Sequence, residues 1–209
     1  MPSPPSALVL RDLDLLVPMV EQRLAAVMVS VTTLDRELAR RLEPRAAAPE
    51  RRLEVIATLA GIGIPVGVLV APLIPGLTDA DLERILERAA AAGATRAGTA
   101  LIRLPHELGG LFEEWLRAQY PQRAEKVLSL IRQCRDGHLN NGRFGSRMIG
   151  TGPVADLLAQ RFRLTSRRLG LAGRMDPDDH GWRLDTSRFR APRPSGTQLD
   201  LFDDRSARW

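Results

Sequence analysis

The sequence predicts an α/β fold: a parallel sheet covered by helices, then further helices, then a disordered C-terminal tail. Three observations carry this expectation. Short apolar runs at Ala25–Val31, Pro65–Ala71 and Arg96–Arg103 alternate with helical patterns. The runs are apolar throughout rather than at every second position, as in strands buried on both faces. The stretches between them are long enough for a crossover helix, which parallel pairing requires.

Taken in order, Met1–Ser6 (MPSPPS) reads as a loose leader, because proline withholds backbone donors. Leu8–Gln22 carries Leu8, Leu13, Leu16, Met19 and Val20 at mostly helical spacing, with Pro18 disturbing its second half. After the first strand, Thr33 or Asp35 caps a helix over Arg36–Leu42. Pro49 suits a first helical turn, and Arg51–Ala60 continues that helix to Gly61. Beyond the second strand, Thr78 and Asp79 cap Ala80–Ala92, which ends at Gly93. Helices follow at Leu108–Gln119 and Gln122–Cys134, broken by Pro121. Asp136–Gly152 is rich in Gly, Asn and Arg and reads as a loop, and Val154–Leu169 is a further helix. From Ala172 the periodicity fades, which predicts disorder.

Composition narrows the function classes. A hydrophobic fraction of 44% in 209 residues suffices for a packed core. No apolar run approaches the ~18 residues of a membrane span, and no secretory leader is recognisable. The single cysteine, Cys134, excludes an internal disulfide framework and suits a reducing cytoplasm. His106, His138 and His180 lack ligand spacing, so no metal site is expected from them. The net charge is +5 and the pI about 10.7, with basic runs at Arg161–Arg168 and Arg188–Arg193. Such runs either neutralise DNA phosphates or form a solvated arginine face.

Several segments carry a family resemblance: VMVSVTTLD (Val27–Asp35), LEPR (Leu42–Arg45), GIPVGVLVAPLIPGLTDADLE (Gly63–Glu83), LIRLP (Leu101–Pro105) and FEEWLRAQYPQRAEKVLSLIRQ (Phe112–Gln133). Over Val9–Leu169 the chain resembles radical S-adenosylmethionine (SAM) proteins of the spore photoproduct lyase-like group, also called DNA repair photolyase-like. The resemblance implies a partial (β/α) barrel made of the later βα units only. The whole barrel in that family holds a 4Fe–4S cluster on a CxxxCxxC loop. SAM on that cluster yields a 5′-deoxyadenosyl radical that abstracts hydrogen from substrate. With Cys134 alone, no cluster is expected on this chain. The implied organisation is a partial barrel over 7–135, a loop and basic helix over 136–171, and a flexible tail over 172–209.

The resemblance also implies SAM-binding positions. Ser30 and Thr32 fall at the C-terminal end of the first strand, on the same side, where parallel βα folds build their sites. Their hydroxyls either bond SAM or terminate the strand and cap the next helix. Glu43 and Arg45 flank Pro44; Arg45 suits a carboxylate, or the two form an exposed ion pair. Pro75 and Gly76 form either an adenine-side turn or an ordinary βα turn. Arg103 meets SAM or substrate phosphate, or covers the rim. No catalytic residue is assigned.

The tail contains Gln198-Leu199-Asp200-Leu201-Phe202. QLxLF resembles the peptide by which bacterial replication and repair proteins dock on the DNA polymerase sliding clamp. Leu201 and Phe202 would fill an apolar pocket and Gln198 would bond its edge, with Leu199 between them; the alternative is that these apolar residues fold back on the domain. Two functions follow as expectations. The first is a fragment of a radical SAM enzyme, such as one that repairs DNA lesions, inactive without a cysteine-bearing N-terminal half. The second is a non-catalytic module that binds DNA and the clamp.

Overall fold

A computed structural model describes residues 5–144, 146–173, 182 and 184–190. The Gln198–Phe202 motif and His180 lie outside the described residues. Four parallel strands form one sheet in the order β1 (Val27–Ser30), β2 (Val66–Leu73), β3 (Arg96–Leu101) and β4 (Ala172–Gly173). Val27 pairs with Val66, Gly67 with Arg96, and Arg96 with Ala172. The predicted α/β class with a parallel sheet therefore holds. A fourth short strand joins where the sequence suggests only tail. The register shifts between Val70 and Leu73, around the cis Ala71–Pro72 bond.

The helices are α1 (Leu13–Glu21), α2 (Arg36–Leu42), α3 (Pro49–Ile62), α4 (Leu82–Ala91), α5 (Leu108–Gln119), α6 (Pro121–Gln133) and α7 (Gly152–Arg168). A 3-10 turn over Pro5–Arg11 precedes α1. α1 continues through Pro18, because Leu13, Leu16, Val17 and Val20 pack on the core and hold it. Of the two caps considered for α2, Asp35 is the one used: its carboxylate accepts from the N–H of Glu37 (2.8 Å) and Leu38 (3.1 Å).

Two helix ends differ from the sequence reading. α3 runs past Gly61 to Ile62 and stops at Gly63, whose φ of +89° is the left-handed conformation that ends helices. Residues Asp79–Asp81 form a 3-10 turn, so α4 begins at Leu82 rather than Ala80. The Thr78 hydroxyl is unavailable as a cap, since it accepts from Ile74 N–H at 2.9 Å.

The sheet buries one face. Val29, Val31, Val66, Val68, Val70, Ala97 and Leu101 meet the apolar sides of α3, α4 and α7, including Ile56, Leu59, Ile85, Leu86, Leu158 and Phe162. The opposite face carries Met28, Ser30, Leu69, Ala71, Gly98 and Ala100. Met28 is 41% exposed and the others are half-buried. The apolar strand runs predict burial on both faces, yet this face stays half-open, and its side chains are mostly small. A second core lies beyond the C-terminal ends of the strands. There Leu38, Ile74, Ile102 and Leu104 pack on Phe112, Leu116, Val127, Leu128 and Ile131 of the α5–α6 hairpin.

Residues 184–190 cross near the N-terminal end of the sheet. Asp185 N–H donates to Arg23 O at 2.8 Å, and the Arg188 guanidinium donates to Gln22 Oε1 at 2.6 Å. The Trp182 ring lies under the Arg96 guanidinium at 5.4 Å.

Candidate ligand-binding edge of the sheet

Parallel α/β sheets place ligands at the C-terminal ends of their strands. Here that edge is formed by Ser30–Thr32, Leu73–Gly76 and Leu101–Arg103. Ser30 is the last residue of β1 and lies on the half-open face. Thr32 shares that side but is 3% exposed. Its hydroxyl sits between Ala71 O (3.2 Å) and Glu43 Oε2 (3.3 Å), so it ties the first strand to the second and to α2.

Glu43 closes α2 and is anchored by Arg52, which the sequence reading missed. The Arg52 guanidinium donates to Glu43 Oε2 at 2.7 Å, to Ser30 O at 2.9 Å and to Ala47 O at 3.0 Å. Arg52 is 6% exposed, whereas the Glu43 side chain keeps about a third of its surface (35%) open. Locally Arg52 reads as one charge of RR on a solvated helix, and no short-range signal marks it. Glu43 also lines a cleft of about 620 Å³ with Arg36, Arg40 and Pro44. Arg45 is exposed on the same loop. The ion pair that Glu43 makes is with Arg52, on the buried side of α3, and not the exposed Glu43–Arg45 pair that was one of the two alternatives.

Pro75 is buried, and Gly76 has φ of +76°. A Cβ at Gly76 would approach Leu130 Cδ1 of α6 to 2.9 Å, so the close approach that glycine allows is made by that helix. The Gly76 N–H donates to Asp79 Oδ1 at 2.7 Å. Nearby, Asp81 accepts from the Thr33 hydroxyl (2.7 Å) and Leu34 N–H (2.9 Å), which fixes the chain after β1. Arg103 is exposed and lies past the end of β3, two residues beyond where the strand stops.

A second unforeseen arginine, Arg135, is 1% exposed. It donates to Ile102 O (2.7 Å), Leu101 O (3.2 Å), Arg147 O (2.8 Å) and Ser146 O (3.4 Å). Burial pushes its pKa below the ordinary arginine value, with Arg103 adding like-charge repulsion. Beside it, burial pushes the Cys134 thiol up, favouring the protonated form over the thiolate that binds metal. Cys134 is 2% exposed, and among the described residues no group of three His, Cys, Asp or Glu is placed to hold a metal ion. With one cysteine in the sequence, and that one buried, the described residues do not fit an iron–sulfur cluster. Ser30 ends β1 half-buried, Glu43 keeps a partly open carboxylate at the end of α2, and Arg45 is exposed on the loop that follows.

The basic helix is less free than its sequence suggests. Arg161 donates to both Glu83 oxygens at 2.8 Å and reaches Asp79 at 3.2 Å. Arg168 donates to Glu87 at 2.6 Å. Both pair α7 with α4 or the turn before it.

Comparison with known proteins agrees with this architecture. Residues 3–89 match the Radical SAM superfamily. Members of that superfamily generally use SAM and a 4Fe–4S cluster. An uncharacterized protein of Mycobacterium tuberculosis and one of Mycobacterium bovis are each 34% identical over 125 residues, 59% of this chain and 37% of theirs. An uncharacterized protein of Acidianus two-tailed virus is 44% identical over 70 residues, 34% of this chain and 23% of the viral protein. The chain thus spans a little over a third of the mycobacterial relatives. No solved structure matches it. Among the described residues no helix is long and apolar enough to cross a membrane.

Proposed function

We propose that this chain is the later portion of a radical SAM-type barrel, related to the spore photoproduct lyase-like group, and works with a cysteine-bearing segment. The observation that carries the reading is the half-open sheet face. Small residues line it, Ser30 ends it, and β1 has no strand on its outer side among the described residues. That face corresponds to a barrel lumen, and the free edge of β1 is where earlier strands would pair. Ser30 would bond the ribose or carboxylate of SAM, Glu43 its amino group, and Arg45 its carboxylate. The backbone at Pro75–Gly76 would border the adenine, and Arg103 the substrate. Bound SAM would supply the adenosyl group for hydrogen abstraction. The complete enzyme acts on nucleic acid in the cytoplasm, in keeping with the positive charge, and repair of DNA lesions is the reaction that the group suggests.

The test is equilibrium dialysis of labelled SAM against the chain, alone and with a CxxxCxxC segment encoded upstream. The expected result is weak binding by the chain, strengthened by the segment and lost in Ser30→Phe, which fills the face. Equal binding by Ser30→Phe, or no binding in either form, would overturn the reading.

The tail motif supports a second role, docking of Gln198, Leu199, Leu201 and Phe202 on a sliding clamp. Under this reading the chain binds DNA and the clamp without catalysing a reaction. Retention on an immobilised clamp should disappear in the Leu201→Ala/Phe202→Ala double variant, and retention by that variant would sink the proposal.

A further inference from the structure

The loop after α6 presents an aromatic ring and arginines at the same C-terminal edge of the sheet. Phe144 is 86% exposed, far more than a phenylalanine without a partner usually is. The Arg147 guanidinium lies over its ring at 5.3 Å, and Arg143 beside it is exposed. Between Asp136 and Asp156 the sequence has no carboxylate side chain, so Arg143 and Arg147 leave the loop cationic.

The base of this loop is built, not slack. Buried Arg135 clamps the carbonyls of Ser146 and Arg147 to those of Leu101 and Ile102. Leu101 N–H donates to Met148 O at 2.8 Å, extending the pairing of β3 into the loop. Asp136 accepts from Thr151 Oγ1 and Asn141 Nδ2, each at 2.7 Å, and so closes the loop at both ends. At Gly150, φ is +76° and a Cβ would meet Leu101 Cδ1 at 2.6 Å, so only glycine passes there. A fixed base thus holds an exposed ring and its cations beyond the end of β3, where exposed Arg103 also lies.

We propose that this loop is a binding site for single-stranded nucleic acid, with Phe144 stacking on an unpaired base and Arg143, Arg147 and Arg103 facing phosphates. It deepens the nucleic-acid reading above by naming the form of the substrate and the residues that hold it. One protruding ring finds a free π-face only where a base is unstacked, and neighbouring cations match the adjoining backbone. A ring under a guanidinium offers a cationic stacking surface, which suits a base-bearing polyanion better than a hydrocarbon layer.

The experiment is fluorescence anisotropy of the purified chain with a short labelled oligothymidine across a salt series. Phe144→Ala is expected to weaken binding about tenfold, with Phe144→Trp retaining it. Arg143→Ala and Arg147→Ala should each lower the salt dependence by roughly one phosphate contact. Neither arginine substitution removes the backbone carbonyl that Arg135 holds, and circular dichroism would verify folding. Unchanged affinity in Phe144→Ala would overturn the proposal. So would Phe144-dependent binding to phosphatidylserine vesicles or to duplex DNA in preference to the single strand. No step needs SAM or a cluster, so loss of SAM binding in the dialysis experiment would leave this result intact.

Discussion

At the scale of single residues, two buried arginines organise the candidate edge. Arg52 connects Ser30 O, Ala47 O and Glu43, and through Glu43 the Thr32 hydroxyl. Removing one partner of such a pair leaves the buried charge uncompensated, at a cost above that of an ordinary hydrogen bond. Glu43→Ala should therefore lower stability by about 2–3 kcal/mol in urea unfolding, and Glu43→Gln, which keeps an acceptor, by clearly less. A midpoint unchanged in both variants would show that Arg52 is satisfied by carbonyls alone. Gly76 is a second sensitive position. Its positive φ strains any side chain placed there, and an added Cβ would also make Leu130 Cδ1 move aside, so Gly76→Ala is expected to lose about 1–3 kcal/mol, measured as a fall in melting temperature.

At the scale of elements, α7 is bound to α4 by charge as well as by apolar packing. The hydrogen bonds from Arg161 hold the Glu83 carboxyl below its ordinary value of 4.5, and the same bonds raise Arg161. A carboxylate with a lowered folded pKa stabilises the fold above its unfolded pKa and loses that contribution as pH falls through the folded value. The stability gap between wild type and Arg161→Ala should be full near neutrality and shrink below pH 4.5. Urea midpoints of both proteins across that window check this, and a gap constant with pH would contradict it. The same pairing bears on nucleic-acid binding. Arg161 and Arg168 already face carboxylates, which leaves less of the charge of α7 for phosphates than its sequence suggests.

At the scale of the whole molecule, the sheet is asymmetric. Helices cover one face, the other is half-open, and the outer side of β1 has no strand among the described residues. A free strand edge pairs readily with another chain. Sedimentation of the isolated chain should show concentration-dependent association that weakens in Met28→Lys, which places a charge on the edge strand; association unaffected by that substitution would place the contact elsewhere. The cysteine-bearing segment, if it completes the barrel, should suppress the same association.

The order of strands and helices was legible in the sequence, because apolar runs, Asp35, Pro49 and Pro121 act on their immediate neighbours. The place of Ser30 and Thr32 at the end of β1 was legible too, whereas Glu43 reaches Thr32 from the end of α2 only through the tertiary fold. Gly63 rather than Gly61 ends α3 because the left-handed turn at Gly63 lets Ile64 N–H bond Leu59 O and puts the Ile64 side chain in the core, a distinction that two similar glycines do not carry locally. What the sequence by itself determined was the α/β class and the succession of its elements, since hydrophobic period and capping are local. The tertiary structure alone decided which arginines are buried, which face of the sheet stays half-open and which loop sits on its edge. Arg52 reaches Ser30, and Arg135 reaches Ile102, across 22 and 33 residues of chain. Burial of a charge depends on such distant partners, which no local pattern encodes.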